Sequence, residues 1–470
     1  MRLPTPRPAR WRTVAILALV LAFDVVALPA QADPTSGIDL SALDKHVRAQ
    51  DDFYARANNS WLKHARFPAD KLYIGPTERL MDLTQSQLQA LVMSAQANAG
   101  DAESRQLADL YASFMDEASV ARLGLTPLAP ELEAIDAVSD RAQLGALFAR
   151  LAKIGVELPL GFYIAQDDRD ATRYVPAIAQ AGLGLPSRDY YLKGDDAKFR
   201  SVRAKYLQYL GKLLALSAAP RDAAATPQAV LALETRIARV QWSPVENRDP
   251  VKAYNPVALA ELPALAPAFD WPGYLAAAGL AGKTTNVLVR QPSYVRGLDE
   301  LFAKVPLATW KAYARLRLLD AYAPCLSPAF VDARFAFNGV VLRGTTQNQP
   351  RWRRGVRLVD ESIGQALGKR YVAQHFSPES KARMQAMVEN LLAAFGESLD
   401  TLAWMSPATR EQARAKLAKL HAKIGYPARW IDYSTLVIER GDLVGNVMRA
   451  HRFEDARQLA KLGQPVDRDD

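Results

Sequence analysis

Apolar residues along this chain recur mostly at three- and four-residue steps, the period of a helix with one buried face. Met384, Met387, Val388, Leu391, Leu392, Phe395, Leu399 and Leu402 follow that period and predict one apolar stripe on a long helix. Ser377-Pro378-Glu379 predicts its start, with a serine N-cap, a proline in the first turn and an early acid. Ser406-Pro407 repeats the device and predicts a second helix running to Gly425. Comparable stripes predict helices over 104–115, 141–151, 199–216 and 227–241. Period-two alternation is scarce. Residues 158–165 and 173–181 flank the polar turn Asp167-Asp168-Arg169-Asp170 and predict one β-hairpin. The Ala/Pro-rich stretch 218–226 predicts a loop between helices, and no internal repeat is visible. A polar helix ends at Gly463, and Pro465 forbids its continuation. The predicted fold class is mainly α, a multi-helix body with a small β-hairpin.

Length and composition refine this picture. The chain has 470 residues, enough for two or three domains, and its 49% hydrophobic content is that of a globular protein. Residues 1–32 read as a signal peptide. Arg2, Arg7, Arg10 and Arg12 form a basic start, 14–26 is apolar apart from Asp24, and Ala30-Gln31-Ala32 supplies a cleavage site. The apolar run falls short of the roughly 18–20 residues that span a bilayer. The expected location is therefore periplasmic or secreted, with no membrane span after cleavage. Removal of the leader takes four Arg and one Asp and lowers the net charge from +9 to +6. The remaining charge is scattered. Its densest run, Arg351-Trp352-Arg353-Arg354, reads as a solvated helix face, and no nucleic-acid partner is expected. The single cysteine, Cys325, lies in apolar surroundings and reads as a buried thiol.

No catalytic pattern emerges from the residues themselves. A metallopeptidase helix needs two histidines four apart and a glutamate beside the first, so that both rings face one metal. The five histidines, His46, His64, His375, His421 and His451, include no such pair, and none is followed by Glu. There is no G-x-S-x-G elbow, no P-loop, and no dinucleotide fingerprint, since Gly182-Leu183-Gly184 lacks the third glycine. Asp51-Asp52 and Asp469-Asp470 are neighbours in sequence and form no acid/base pair by themselves. No catalytic, cofactor-binding or metal-ligating residue is assigned.

Four ordered segments nevertheless have a specific look. They are Asp52-Phe53-Tyr54-Ala55-Arg56-Ala57-Asn58-Asn59-Ser60-Trp61-Leu62, Gly182-Leu183-Gly184-Leu185-Pro186-Ser187-Arg188-Asp189-Tyr190-Tyr191-Leu192, Val245-Glu246-Asn247-Arg248-Asp249-Pro250-Val251-Lys252-Ala253-Tyr254-Asn255, and Trp404-Met405-Ser406-Pro407 followed by Lys423-Ile424-Gly425-Tyr426-Pro427. In order and spacing they resemble the amino-terminal region of the M13 (neprilysin-like) zinc metallopeptidases. The resemblance implies two mainly helical lobes around a central cavity, the second of them thermolysin-like and carrying the zinc motif. This chain corresponds to the first lobe, the thermolysin-like catalytic lobe being absent. The expected domains are the signal peptide at 1–32, the helical M13 domain at 50–430, and a linking segment at 431–470. The run Pro465-Val466-Asp467-Arg468 resembles the doorway between the lobes.

Within this resemblance Arg56 stands where an aromatic is usual, and Asn59 where glycine is usual. Leu72 and Leu80 align with two arginines that bind the substrate's carboxyl end in some members, and Arg79 lies one place off. Asp52, Trp61, Asn247, Arg248 and Asp249 read as packing, capping and lobe-linking residues. The function implied is the amino-terminal part of an exported zinc metalloendopeptidase acting on peptides or small proteins, truncated and inactive alone. One zinc ion belongs to the complete enzyme and none to this chain. Two alternatives stand beside it: a non-catalytic peptide-binding or regulatory helical module, and assembly with a separately encoded catalytic lobe. A missing lobe should leave an apolar surface exposed.

Overall fold

The computed structural model describes residues 40–97, 100–217 and 226–469. The predicted leader at 1–32 and all of the predicted 218–226 loop except Thr226 lie outside the described residues. The described residues fall into two compact units, divided between Arg66 and Phe67. In the first, Asp52 caps helix α1 (Phe53–His64) by accepting the Ala55 N–H at 2.8 Å. Asp44, nearly fully buried, accepts from Asn59 and Lys63, both at 2.8 Å. The Lys63 hydrogen bond, with those of the His46 amide and Asn59, lowers its carboxyl to about 2. The two departures from the family pattern therefore have duties. Asn59 sits inside a helix, where no left-handed backbone is needed, and Arg56 donates to the Asp44 carbonyl at 3.0 Å.

The second unit is built on helices. The α-helices of eight residues or more are α2 (Pro76–Ala97), α3 (Ala102–Met115), α4 (Ala129–Ala137), α5 (Leu144–Ala152), α6 (Ala197–Leu216), α7 (Pro227–Val240), α8 (Trp271–Ala278), α9 (Pro292–Lys304), α10 (Leu307–Tyr322), α11 (Arg351–His375), α12 (Pro378–Thr401), α13 (Pro407–Leu417) and α14 (Leu443–Leu459), and a π-helix spans Phe335–Arg343. Asp101, Asp196, Thr226, Asp270, Ser377, Ser406 and Asp442 cap seven of them through their side-chain oxygens. The helix after Ser406 stops at Leu417, short of the predicted Gly425. Beyond it, Lys419, Leu420, His421 and Lys423 offer no apolar face to pack, so nothing repays continued helix formation.

The predicted hairpin forms between β1 (Leu160–Gln166) and β2 (Tyr174–Gln180), with Leu160 opposite Gln180. It extends into a four-stranded sheet of order β1-β2-β4-β3, where β3 is Pro256–Ala258 and β4 is Asn286–Val289. β4 runs parallel to β2 and antiparallel to β3. Strands of three and four residues are too short to show a period, which is why the sequence reading stops at the hairpin.

α10 is the hub, buried on every face by Trp310, Tyr313, Leu316, Leu318, Leu319 and their neighbours. Trp310 stacks on Phe302 at 4.9 Å and tilts against Phe148 at 5.8 Å. Buried Glu131 on α4 takes Arg150 of α5 at 2.7 Å and Arg452 of α14 at 3.2 Å, so one carboxylate ties three helices. Because Trp310 is fully buried, Trp310→Ala is expected to destabilise this unit by about 3–5 kcal/mol. Urea unfolding followed by far-UV circular dichroism checks it, through a lower midpoint at unchanged slope.

Candidate functional site

The glycine-rich motif that leaves β2 packs against a buried polar cluster of Tyr191, Tyr206 and Glu234. Gly182 has φ 83°, a left-handed conformation that favours glycine, and its carbonyl accepts from Tyr313 at 2.6 Å. At Gly184 a Cβ would stand 1.8 Å from the Tyr206 hydroxyl, so only glycine leaves room for that ring. Tyr206 donates to Glu234 Oε1 at 3.1 Å, and Tyr191 donates to Glu234 Oε2 at 2.9 Å. The Leu185 N–H in turn donates to the Tyr191 hydroxyl at 2.8 Å. Glu234, on α7, is completely buried. Burial pushes its carboxyl up to about 7, opposed by nearby Arg317 and by the two tyrosines.

The second motif braces the hairpin. Asp249 accepts the Val251 and Lys252 amides, both at 3.0 Å. Lys252 pairs with Glu246 at 2.9 Å and sits 4.3 Å over the Trp242 ring. Tyr254 donates to Asp167 at 3.4 Å and carries the Arg169 guanidinium 4.5 Å over its ring. Asp167 is the centre of the hairpin turn. Burial alone would raise its pKa, but the Arg169 amide, Arg173 and Tyr254 hold it below the usual carboxylate range. Asn247 accepts from Gln291 at 3.2 Å, and Arg248 is exposed. A cleft of about 840 Å³ opens beside this turn, lined in part by Arg173, Tyr254, Lys283 and Thr284.

The other candidate residues disperse. His46 is held by Asp44, His375 packs on the Tyr371 ring at 4.9 Å, His421 meets Asp469 at 3.0 Å, and His451 closes over Gly155. Among the described residues no three His, Cys, Asp or Glu side chains are placed to hold a metal ion. The residues present thus do not fit a catalytic zinc. The basic run resolves into separate bonds: Arg351 to the Phe114 carbonyl, Arg353 to Asp82 at 2.9 Å, and Arg354 to the Gln349 carbonyl at 3.1 Å. Leu72 and Leu80 are exposed, with Tyr73 and Met81 beside them, and Lys71 next to them is paired with Asp82. No single helix among the described residues is long and apolar enough to cross a membrane.

The predicted single stripe on α12 is two stripes. Val388, Leu392 and buried Leu399 turn inward, while Met384, Met387, Leu391 and Phe395 stay exposed. Trp404, in the turn before α13, is exposed as well. An exposed apolar row of this kind marks a contact surface.

The polar-centred helical body, its braced hairpin and this uncovered face define a helical lobe of the kind found in two-lobed metallopeptidases. The chain belongs to peptidase family M13, the zinc metallopeptidases whose amino-terminal model matches residues 49–427. It is 28% identical to rat (Rattus norvegicus) endothelin-converting enzyme-like 1 over 91% of this chain and 57% of that protein. It is 27% identical to Drosophila melanogaster neprilysin-3 over 94% of this chain and 61% of that protein. Among solved structures it resembles the Mycobacterium tuberculosis zinc metalloprotease ZMP1 in complex with inhibitor. The TM-score is 0.86 and the identity 40%, covering 92% of this chain and 66% of that one. The same enzyme in its open state gives 0.77, over 90% of this chain and 66% of that one. The chain thus spans somewhat over half the length of the curated relatives it matches.

The position of Glu234 makes stability depend on pH. The folded protein holds this proton more tightly than the unfolded chain, where glutamate titrates near 4.5. Its stabilisation is therefore full below about pH 4.5 and is lost as pH rises through about 7. Relative to Glu234→Gln, the intact protein should lose roughly 3 kcal/mol between pH 4.5 and 8. Paired urea titrations across that range measure the difference.

Proposed function

We propose that these residues form the substrate-enclosing helical lobe of an exported M13 metalloendopeptidase. In this reading, hydrolysis belongs to a second lobe. The zinc chemistry there is polarisation of the scissile carbonyl and activation of water beside a glutamate base. The observation that carries the proposal is the family match over 49–427 in a sequence that contains no His-Glu-x-x-His. The uncovered stripe on α12 supports it, as the face such a lobe would pack against. The basic start, apolar run and Ala30-Gln31-Ala32 site support a periplasmic or secreted location. In our division, 1–32 is the leader, 50–430 the helical domain and 431–470 the link to the chemistry.

Substrates in this reading are peptides cut at internal bonds. Leu72 and Leu80 offer apolar surface where a carboxylate clamp would need cations, and nearby Lys71 and Arg353 are both committed to Asp82.

The purified 470-residue chain, incubated with zinc and an unstructured peptide, should show no cleavage above a blank, followed by mass spectrometry. Metal-dependent cleavage that a chelator abolishes would overturn the proposal. Coexpression with an M13 catalytic lobe should in turn yield a stable complex, and Leu391→Asp with Phe395→Asp should weaken it at least tenfold by placing charges in the packed face. Calorimetric titration of the two purified lobes reads the affinity.

A further inference from the structure

We propose that α12 and α13 form a hinged arm, and that the segment Pro465–Asp469 is a strap latching this arm's return loop to the β-sheet. Three observations carry the inference.

The arm is nearly self-contained. α12 packs chiefly on α13, and Arg410 closes the turn between them by donating to the Leu402 carbonyl at 3.0 Å. Leu399 is its single buried residue among those described.

Both connections to the body have hinge geometry. On entry, Phe376 leaves α11 in extended backbone and Ser377 restarts the helix. On return, 418–430 is without helix or strand, and Gly425 takes φ 74° with the Phe376 ring against it. Tyr426 links the two hinges. Its carbonyl accepts from Lys381 at 3.0 Å, its ring meets Phe376 edge-on at 6.0 Å, and it stacks on Trp430 at 6.2 Å.

The strap grips both sides. Toward the sheet, the Val466 N–H donates to the Thr172 carbonyl at 3.2 Å, Pro465 bridges Arg173, and the Asp467 N–H donates to the Tyr174 hydroxyl at 3.0 Å. Toward the arm's return loop, Asp467 pairs with Arg429, Asp469 meets His421 at 3.0 Å, and Arg468 donates to the Lys419 carbonyl at 3.4 Å. Beneath it lies a cleft of about 550 Å³ lined by Gln365, Trp430, Phe453 and Arg457. The strap thus crosses a gap instead of resting on a packed interface. Its backbone bonds make the sheet end the fixed one. Its ion pairs are exposed, individually weak and screened by salt, which suits a fastening that opens and closes. Release would let the arm swing about Phe376 and Gly425 and carry the exposed stripe of α12 with it.

Distance measurement between paired spin labels tests this on the full chain. The native thiol is no obstacle, because Cys325 is buried and burial pushes it up to about 12. Labels go on Glu300→Cys in the body and Glu411→Cys on the arm, both exposed positions. The parent should give one narrow distance distribution in dilute buffer. His421→Ala and Asp469→Asn, which cut the strap's contact on the arm side of Gly425, should each raise a second, displaced population about two- to fivefold, in proportion to the loss of an exposed charged contact. The exchange His421→Asp with Asp469→Lys, which rebuilds an ion pair across the same gap, should return it to the parent level. Raising salt from about 0.05 to 1 M should move the parent in the same direction as the single substitutions, without altering the latch residues. An unchanged distribution in the substituted chains and in high salt would overturn the proposal.

Discussion

One buried carboxylate organises the helical body. Glu234 has no water to solvate it, and an isolated charge there would be costly. The structure answers with two tyrosine hydroxyls, from Tyr191 and Tyr206, arriving from opposite ends of the carboxylate. Tyr206 belongs to α6 and Glu234 to α7, while Tyr191 follows the loop that leaves the sheet. Satisfying that single group therefore fixes how α6 crosses α7 and where the sheet's exit loop lies against both. Gly182 and Gly184 follow from the same constraint. One must turn left-handed so that its carbonyl reaches Tyr313, and the other must vacate the space that Tyr206 fills. A hydrophobic replacement of similar shape could match the stability, since buried polar groups seldom exceed apolar packing in net energy. Directional bonds add a unique register, which stacked leucines do not supply. Tyr313, Tyr294 and Gln241 extend this logic by donating to the carbonyls of Gly182, Pro159 and Ala181.

Which parts of this were legible in the sequence depends on how local their cause is. The serine caps at 377 and 406 and the hairpin around Asp167 are decided within a few residues, so pattern alone placed them. The family resemblance was legible for a related reason. Its motifs coincide with groups the fold cannot vary freely: a cap at Asp52, glycines under Tyr206 and Tyr313, and the Asp249 turn. The Glu234 network was hidden, because its members are up to 43 residues apart and become partners only through packing. The short strands β3 and β4 were hidden for lack of a period. The stop of α13 at Leu417 was missed because a basic stretch can be helical or irregular, and context decides it.

The apolar pattern of α12 shows a different kind of limit. Periodicity finds an apolar residue and its phase on the helix, but it cannot count how many neighbours the helix has. Met384, Met387, Leu391 and Phe395 form one row, and Val388, Leu392 and Leu399 form another roughly one-fifth of a turn away. Read together they merge into a single broad stripe. Only the structure separates the row that is buried or half-buried from the row that stays exposed.

That separation connects the scaffold to its proposed role. A peptidase lobe that encloses substrate must be rigid where it shapes the cavity and adjustable where it meets the chemistry. The body is held by desolvated, directional bonds at Glu234 and Glu131, which cannot open without exposing the core. The α12–α13 arm is joined by an extended residue, a left-handed glycine and exposed ion pairs, which can open at small expense. The same fold thus uses two bonding regimes, distinguished by burial. Buried polar groups supply register, exposed ones supply reversibility, and the uncovered apolar row lies on the element held by the second kind.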